Sequence, residues 1–298
     1  MSSIQVNVAG VVFRLEGETA EYVPRIPSAY HAFQTSDKSV CHARYRCLAP
    51  DRPRLPRIEP GSFVWQSDIW RMGMDTNGRY VIEIHDVVQS RWVPSAAIAP
   101  DFSAGDLQAF AGRRAAPSDY ELNYPTAQVI LTNLLGQHGV IVLHAAAVII
   151  DGKGVVFGGR SDVGKTTLSR LCRDRGATLI NDDRCALFIR DGQPWVIATP
   201  WHGEDPEINV MEAPLAGIFH LHQEPACRMT ALAPSLALAR LLATGIAPFY
   251  RREGLERATQ LMADLVECAP SYDFGVRPDH SAFVILRETL LDPALKAS

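Results

Sequence analysis

One eight-residue stretch, residues 159–166 (GRSDVGKT), constrains this chain more than any other part of it. It fits the pattern G-x-x-x-x-G-K-[ST], in which backbone N–H groups wrap around nucleotide phosphates. The apolar run 155–157 before it predicts a strand, and the apolar residues within 166–175 recur at helical spacing. Gly176 stands where a helix of that length would end. The stretch therefore predicts a strand, a phosphate-binding loop and a helix whose N-terminus faces the anion.

The residue types in this stretch suit phosphate binding for chemical reasons. Gly159 and Gly164 lack Cβ and can take the positive φ angles that turn successive amides inward. Lys165 brings a point charge to the β- and γ-phosphates, and the hydroxyl of Thr166 suits Mg²⁺. The residues expected to contact the nucleotide are Gly159, Arg160, Ser161, Asp162, Val163, Gly164, Lys165, Thr166 and Thr167. The alternative is a glycine-rich turn that binds nothing.

The composition is typical of a globular protein with a substantial core, since 47% of the 298 residues are hydrophobic and 21% are charged. The formal net charge is −4 and no long basic run occurs, which argues against general nucleic-acid binding. The first residues show no secretory signal, and no apolar stretch reaches the ~18 residues of a membrane span. The six scattered cysteines suggest reduced thiols. We therefore expect a cytoplasmic protein without membrane contact.

Two domains are expected. Residues 1–118 are predicted to be β-rich, and their clearest element is a hairpin of residues 63–72 and 80–84 around an Asn-Gly turn. A small, polar stretch over 102–119 is the candidate linker. Residues 119–298 are predicted to hold the phosphate loop, with antiparallel strands before it and helices in the tail. The first domain is where we expect the choice of phosphate acceptor to be made.

Two neighbouring carboxylates narrow the range of reactions that the predicted site could catalyse. Asp182 and Asp183 follow a strand-like run and lie 17 residues past Lys165, which is room for one helix and one adjacent strand. They should therefore return to the edge of the sheet that carries the phosphates. One carboxylate could hold Mg²⁺ and the other could accept a proton from an incoming hydroxyl. The close spacing disfavours a generic GTPase or motor ATPase, and the alternative is a plain Asp-Asp turn.

Three histidines lie on predicted strands. His144 ends an apolar strand, where it is either a functional group or part of a hydrogen-bonded structure. His220 and His222 alternate along another strand, where they form either a metal-binding pair or one polar edge.

Three segments together resemble a known family. Leu143-His144-Ala145, the loop 159–166 and the run 179–184 (LINDDR) are similar to the kinase domain of HPr kinase/phosphorylase. That family has a histidine ahead of its phosphate loop and an Asp-Asp-Arg after one helix. The likeness is clear over about residues 139 to 190, and related kinases that phosphorylate lasso-peptide precursors share this core. It implies an α/β fold akin to phosphoenolpyruvate carboxykinase, with the nucleotide on a mixed sheet and a different β-rich domain in front.

The resemblance also implies roles for individual residues. Lys165 would bind the β/γ-phosphates and Thr166 would ligate Mg²⁺. Asp182 would act as general base and Asp183 as metal partner. His144 would lie beside the catalytic carboxylate or the transferred phosphoryl group.

The sequence departs from the family at two places. Asp162 stands where the family usually has glycine, and the Arg-Gly-Leu-Gly stretch of true HPr kinases is absent. In place of that stretch lies 200–204 (PWHGE), whose Glu204, or else Glu207, could supply a further metal-associated carboxylate. The alternative is a loop that is merely anchored by Trp201.

The resemblance implies transfer of the γ-phosphoryl group of ATP, with Mg²⁺, to a serine hydroxyl of a peptide or small protein. One alternative is a small-molecule kinase or a carboxykinase-type enzyme on the same fold. Another is a nucleotide-sensing module without turnover. No nucleic-acid partner is expected, and a homo-oligomer is an open expectation because HPr kinases assemble into oligomers.

Overall fold

A computed structural model describes residues 2–37, 39–49, 55–109, 120–205, 207–277 and 279–291. Contacts divide the chain into two compact units. The first is Met1–His138 with Pro248–Gly254, and the second is Gly139–Ala247 with Leu255–Ser298. The predicted domain boundary between residues 118 and 119 falls outside the described residues and stays a prediction.

The first unit is built on an eight-stranded mixed sheet with the order β1-β2-β3-β8-β7-β6-β5-β4. Its strands are β1 (Ser3–Val8), β2 (Val11–Gly17), β3 (Ala43–Leu48), β4 (Phe63–Gln66), β5 (Trp70–Met74), β6 (Tyr80–Asp86), β7 (Arg91–Ile98) and β8 (Ala104–Gln108). Strand β3 shows why such runs form strands, because Ala43, Tyr45 and Cys47 are buried while the arginines between them are exposed. A 3-10 helix (Ser28–Phe33) and helix α1 (Thr126–Gln137) complete the unit.

The predicted hairpin of this unit is present, with one correction. Strands β5 and β6 pair antiparallel around the Asn-Gly turn, where Gly78 has a φ of 74°. The run 63–72, predicted as one strand, is two antiparallel strands, β4 and β5. The hydroxyl of Ser67 donates to the carbonyl of Trp70 at 3.0 Å and closes a turn between them. Short polar side chains favour such turns, and this one interrupts the apolar run.

The second unit is built on a nine-stranded mixed sheet. Its strands are β9 (Val140–Ile150), β10 (Lys153–Gly158), β11 (Thr178–Asn181), β12 (Arg184–Arg190), β13 (Gln193–Ala198), β14 (Glu212–Gln223), β15 (Arg228–Ala231), β16 (Gly245–Ile246) and β17 (Ser271–Val276). The strand order is β10-β9-β12-β13-β14-β17-β15, and β10 also pairs in parallel with β14. Strands β11 and β16 lie off this path, and both pair with β9. Its helices are α2 (Lys165–Arg173), α3 (Pro234–Thr244), α4 (Arg252–Cys268) and α5 (His280–Leu291), of which α4 begins in the first unit.

The predicted strand, loop and helix around the phosphate motif are β10, the loop and α2. Val155 and Phe157 of β10 share a buried core with Leu168 and Cys172 of α2. This packing fixes where the strand ends and where the helix begins. The fold is thus mixed α/β, with two mixed sheets. None of the helices among the described residues is long and apolar enough to cross a membrane.

Candidate phosphate-binding and catalytic site

The loop between β10 and α2 has the backbone conformation that its glycines allow. Gly159 has a φ of 148° and Gly164, which precedes α2, has a φ of 105°. A Cβ at Gly159 would lie 2.9 Å from Cγ1 of Val163, so a side chain does not fit there. Asp162 has a φ of 62°, which Asp tolerates better than most residues. This residue is therefore compatible with the conformation of the loop.

The N-terminus of α2 offers unpaired amides. No side chain caps this helix, whose N-cap residue is Gly164. The first N–H groups of a helix have no partner within the helix, and together with the helix dipole they attract anions. Thr166 lies half-buried in this first turn and Thr167 is exposed. The loop residues Arg160, Ser161 and Asp162 are exposed too, so phosphate could reach the loop from solvent.

Lys165 lies inside the loop. Its Nζ donates to the carbonyl oxygens of Gly159 at 3.1 Å and Arg160 at 2.9 Å. An ammonium group has three N–H donors, so one remains for a phosphate oxygen. Burial lowers the pKa of Lys165, and the negative charges of Asp183 and Asp162 oppose that shift.

Strand register brings His144 and Asp183 together. His144 on β9 is paired with Arg184, the first residue of β12, and Asp183 directly precedes that strand. His144 Nδ1 lies 3.1 Å from Asp183 Oδ1, and Arg184 Nη1 lies 2.9 Å from Asp183 Oδ2. Burial alone would raise the pKa of Asp183. The hydrogen bond from His144 and the charges of Arg184, His144 and Lys165 outweigh burial, so this pKa is below its usual value.

Asp182 lies in a different environment from its neighbour. Its side chain is buried, and both of its oxygens accept backbone N–H groups. Gly203 donates to Oδ1 at 2.7 Å and Asp205 donates to Oδ2 at 2.9 Å. The role of general base predicted for Asp182 is therefore not the one that this geometry favours. Asp183 is the carboxylate that lies near His144 and the charge of Lys165.

The segment after β13, residues 199–205, is held against this turn by several polar contacts. Asn181 donates to the carbonyls of Thr199 at 3.1 Å and Trp201 at 2.9 Å. Its Oδ1 accepts the N–H groups of Asp183 and Arg184. Trp201 is itself buried. The sequence analysis did not assign Asn181 a function, although a polar residue at the end of an apolar strand is a signal that could have drawn attention to it.

Two arginines of α2 anchor the end of the same segment. Arg170 Nε and Arg173 Nη1 lie 3.3 Å and 2.9 Å from Asp205 Oδ2. Glu204 is 82% exposed, and its carboxylate lies 3.7 Å from Arg170. Glu207 pairs with Arg173 at 3.0 Å. Among the contacts of the described residues, none joins Glu204 or Glu207 to the His144–Asp183 pair, so the predicted metal role of Glu204 gains no support.

A cavity of about 820 Å³ lies beside the loop within the second unit. Its walls are His144, loop residues 159–163, residues 220–223 of β14, and Arg240, Ala243 and Thr244 of α3. Arg240 pairs with Asp273 of β17 at 3.4 Å. The sequence analysis assigned no function to Arg240 or Asp273. The signal for Asp273 is a single carboxylate in the otherwise uncharged strand SYDFGV.

Comparisons with known proteins give only distant structural likenesses. No protein-family model matches the sequence, and no curated protein matches it. A solved structure of the HPr(Ser) kinase/phosphatase from Coxiella burnetii matches with 16% sequence identity and a TM-score of 0.31. The match covers 52% of this chain and 97% of that one. Values this low do not establish a shared activity.

Proposed function

We propose that the second unit is an ATP- and Mg²⁺-dependent kinase that phosphorylates a serine hydroxyl of a peptide or small protein. One observation carries the proposal: the carboxylate of Asp183 contacts His144 at 3.1 Å and is within electrostatic range of Lys165, the first residue of α2. An anion site, a cation within it and a carboxylate–imidazole pair are the parts that phosphoryl transfer needs, because positioning and charge stabilisation supply most of its catalysis.

The reaction assigns a task to each group. The amides of the loop and of α2, with Lys165, hold the triphosphate so that its γ-phosphorus faces the acceptor. The serine oxygen forms a bond to that phosphorus while the bond to the β–γ bridging oxygen breaks, and ADP leaves with the electron pair. The hydroxyl proton passes to Nε2 of His144, whose Nδ1 is held 3.1 Å from the carboxylate of Asp183. Asp182 does not touch the substrate in this scheme and instead positions the segment 199–205.

The oxygen-bearing side chains at this site suit Mg²⁺. No cluster of three or more His, Cys, Asp or Glu side chains that could hold a metal occurs among the described residues. Mg²⁺ at kinase sites needs no such cluster, because one or two carboxylates bind it together with substrate phosphates and water. The hydroxyl of Thr166 and the carboxylate of Asp183 are the oxygen donors that would hold it. When bound, it would neutralise charge on the phosphates.

Transfer of label from [γ-³²P]ATP to a library of serine peptides tests the proposal. The Lys165→Ala variant should lose transfer, because the loop then lacks its cation, and circular dichroism should show that it stays folded. Lys153→Ala is the matched control, since Lys153 donates to the carbonyl of Leu290 away from the loop. It should keep the wild-type rate.

Parallel reactions with small alcohols and with oxaloacetate separate this proposal from its alternatives. Label on a small alcohol alone would make the protein a small-molecule kinase, and decarboxylation of oxaloacetate would make it a carboxykinase-type enzyme. Saturable ATP binding without transfer to any acceptor would leave a nucleotide-sensing module.

A further inference from the structure

We propose that the cavity beside the loop is the acceptor site, and that Arg240 there binds a carboxylate carried by the acceptor close to its reacting hydroxyl. This inference rests on the proposed function and narrows its substrate class to acidic acceptors.

The cavity lies beside the phosphate loop. It is lined by loop residues 159–163, and residues 164–167 do not line it. The amides at the start of α2, which the proposed function assigns to the triphosphate, are therefore outside its lining. His144 lines the same cavity and contacts Asp183 at 3.1 Å. A hydroxyl bound in the cavity is therefore next to the group that takes its proton.

Arg240 gives the α3 wall of the cavity its positive charge. Its side chain is 44% exposed, and its one ion pair among the described residues joins Nη2 to Asp273 at 3.4 Å. A guanidinium carries five N–H donors in a planar fork, which matches a carboxylate through two parallel hydrogen bonds. The contact with Asp273 is too long for a strong hydrogen bond, so among the described residues the fork keeps donors without a partner. Arg240 can therefore accept a further anion.

His220 forms an unusual part of the same wall. It is only 2% exposed, and its Nε2 has no hydrogen-bond partner among the described residues. A buried polar atom without a partner costs roughly 1–3 kcal/mol, so such atoms call for an explanation. That nitrogen has almost no exposed surface, so a ligand in the cavity would reach it only after the ring turns. The ring nitrogens of the neighbouring His222 lie 2.9 Å from Glu224 and 3.6 Å from Asp273.

Electrostatics favours an acidic acceptor over a neutral one. A carboxylate brought next to a triphosphate is repelled unless a cation compensates it. Arg240 lies on the wall formed by α3, in the same cavity as the loop, and can offset that repulsion. An amide in place of the carboxylate would leave the guanidinium without its charged partner.

The test uses the full chain with two matched pairs of acceptors. One pair is two pools of serine peptides with Asp/Glu or Asn/Gln beside the serine, and the other is free L-serine and L-serinamide. The peptide pair and the small-molecule pair distinguish the source of the carboxylate. We expect kcat/KM to be at least tenfold higher for the acidic member of one pair. Arg240→Gln should remove that preference by raising the KM for the acceptor, with the KM for ATP unchanged.

Two variants serve as controls. Arg240→Lys keeps the charge without the fork and should retain part of the preference. Arg287→Gln removes an arginine that pairs with Asp151 outside the cavity and should change nothing. Equal rates on both members of each pair, or a preference that survives Arg240→Gln, would overturn the inference and leave the kinase proposal standing. A rise in the KM for ATP alone would assign the cavity to the nucleoside and overturn it as well.

Binding measured without turnover separates failure of this inference from failure of the proposed function. With a non-hydrolysable ATP analogue bound, the acidic acceptors should shift the imidazole NMR signals of His220 and His222 in the wild type but not in Arg240→Gln. Shifts without any phosphate transfer would overturn the kinase proposal while supporting an acid-binding cavity. Absence of shifts at millimolar acceptor would overturn the acid-binding cavity itself.

Discussion

Asp182 and Asp183 are adjacent in sequence, yet their carboxylates do different things. Asp182 is buried and accepts two backbone N–H groups from the segment 199–205. Asp183 is 20% exposed and lies between His144 and Arg184. A turn can send consecutive side chains in different directions. Among the described contacts, it is Asp183 that pairs with His144 and senses the charge of Lys165.

Exchanging each acid for its amide should separate the two roles. Asp182→Asn replaces one acceptor oxygen with an NH₂ group that faces a backbone N–H, so a hydrogen bond to a charged group is lost, at about 1.5–3 kcal/mol. Asp183→Asn loses the ion pairs with His144 and Arg184 that lower the pKa of this carboxyl, so some unfolding free energy should be lost here too. Its transfer rate should fall roughly 10²–10⁴-fold because His144 loses its orienting partner. Urea unfolding and the labelled-ATP assay measure the two effects.

The opposite effects of the two substitutions would contradict this assignment of roles. If Asp182→Asn lost transfer while it kept wild-type stability and ATP affinity, Asp182 would be the group that meets the substrate. The role of general base implied by the family resemblance would then stand.

The sequence predicts the phosphate loop because the signals for that loop are local. Glycine spacing, the lysine and the two apolar flanks predict the loop between β10 and α2, and the 17-residue distance predicts that an acid returns to it. Which acid returns could not be predicted. The burial of Asp182 depends on amides of Gly203 and Asp205, which lie 21 and 23 residues further along the chain. Arg240 and Asp273 were missed for the same reason, because they meet only after α3 has packed against β17.

The segment 199–205 holds the turn between β11 and β12 in place, and we call this segment the brace. It is fixed to that turn by Asn181 and Asp182, and to α2 by the contacts of Asp205 with Arg170 and Arg173. The helix that begins at the phosphate loop is thereby tied to the turn that carries Asp183. Displacement of this brace should move the carboxylate relative to the phosphates.

Gly203→Ala tests the brace with a single methyl group. A Cβ at Gly203 would lie 2.9 Å from Oδ2 of Asp182 and 3.1 Å from Cβ of Asp183, so the turn or the segment must shift. We expect a loss of about 1–3 kcal/mol in unfolding free energy, as for overpacked positions, and a transfer rate lowered roughly tenfold. Gly136→Ala is the control, because a Cβ there meets nothing within 4 Å. Wild-type kinetics in Gly203→Ala would show that the brace does not position Asp183.

The sequence predicted where strands form better than it predicted which strands pair with each other. Apolar runs predict β10 and β12, because each run is continuous and bounded by turn residues. The strand predicted to end at His144 instead continues to Ile150 as β9. The parallel pairing of β10 with β14 was not predictable from such runs, since the two strands are about 60 residues apart and no local signal names the partner. That pairing brings His220 level with Gly158, at the end of the strand that leads into the phosphate loop.

For the molecule as a whole, His220 links stability to pH. Burial first, and then the positive charge of Arg240, lower its pKa to about 4, against the opposing charge of Asp273. The unfolded chain has an ordinary histidine with a pKa of about 6.5 and therefore binds more protons than the folded chain between pH 6.5 and 4. Stability contributed by the neutral imidazole is complete above about pH 6.5 and falls as the pH drops towards 4. At ~1.4 kcal/mol per pKa unit, the loss from this residue is at most about 3–4 kcal/mol.

Urea unfolding midpoints between pH 4.5 and 7.5 check this sign and size. The wild type should lose stability towards acid pH more steeply than His220→Gln, which keeps a polar side chain without titrating, and the two curves should run parallel above pH 7. His31→Gln, which alters an exposed histidine of the first unit, should follow the wild type. Parallel curves for wild type and His220→Gln down to pH 4.5 would mean that His220 takes up its proton in the folded chain. In that case the wall of the cavity would be charged at mildly acidic pH, and acidic acceptors should bind more tightly there than at pH 7.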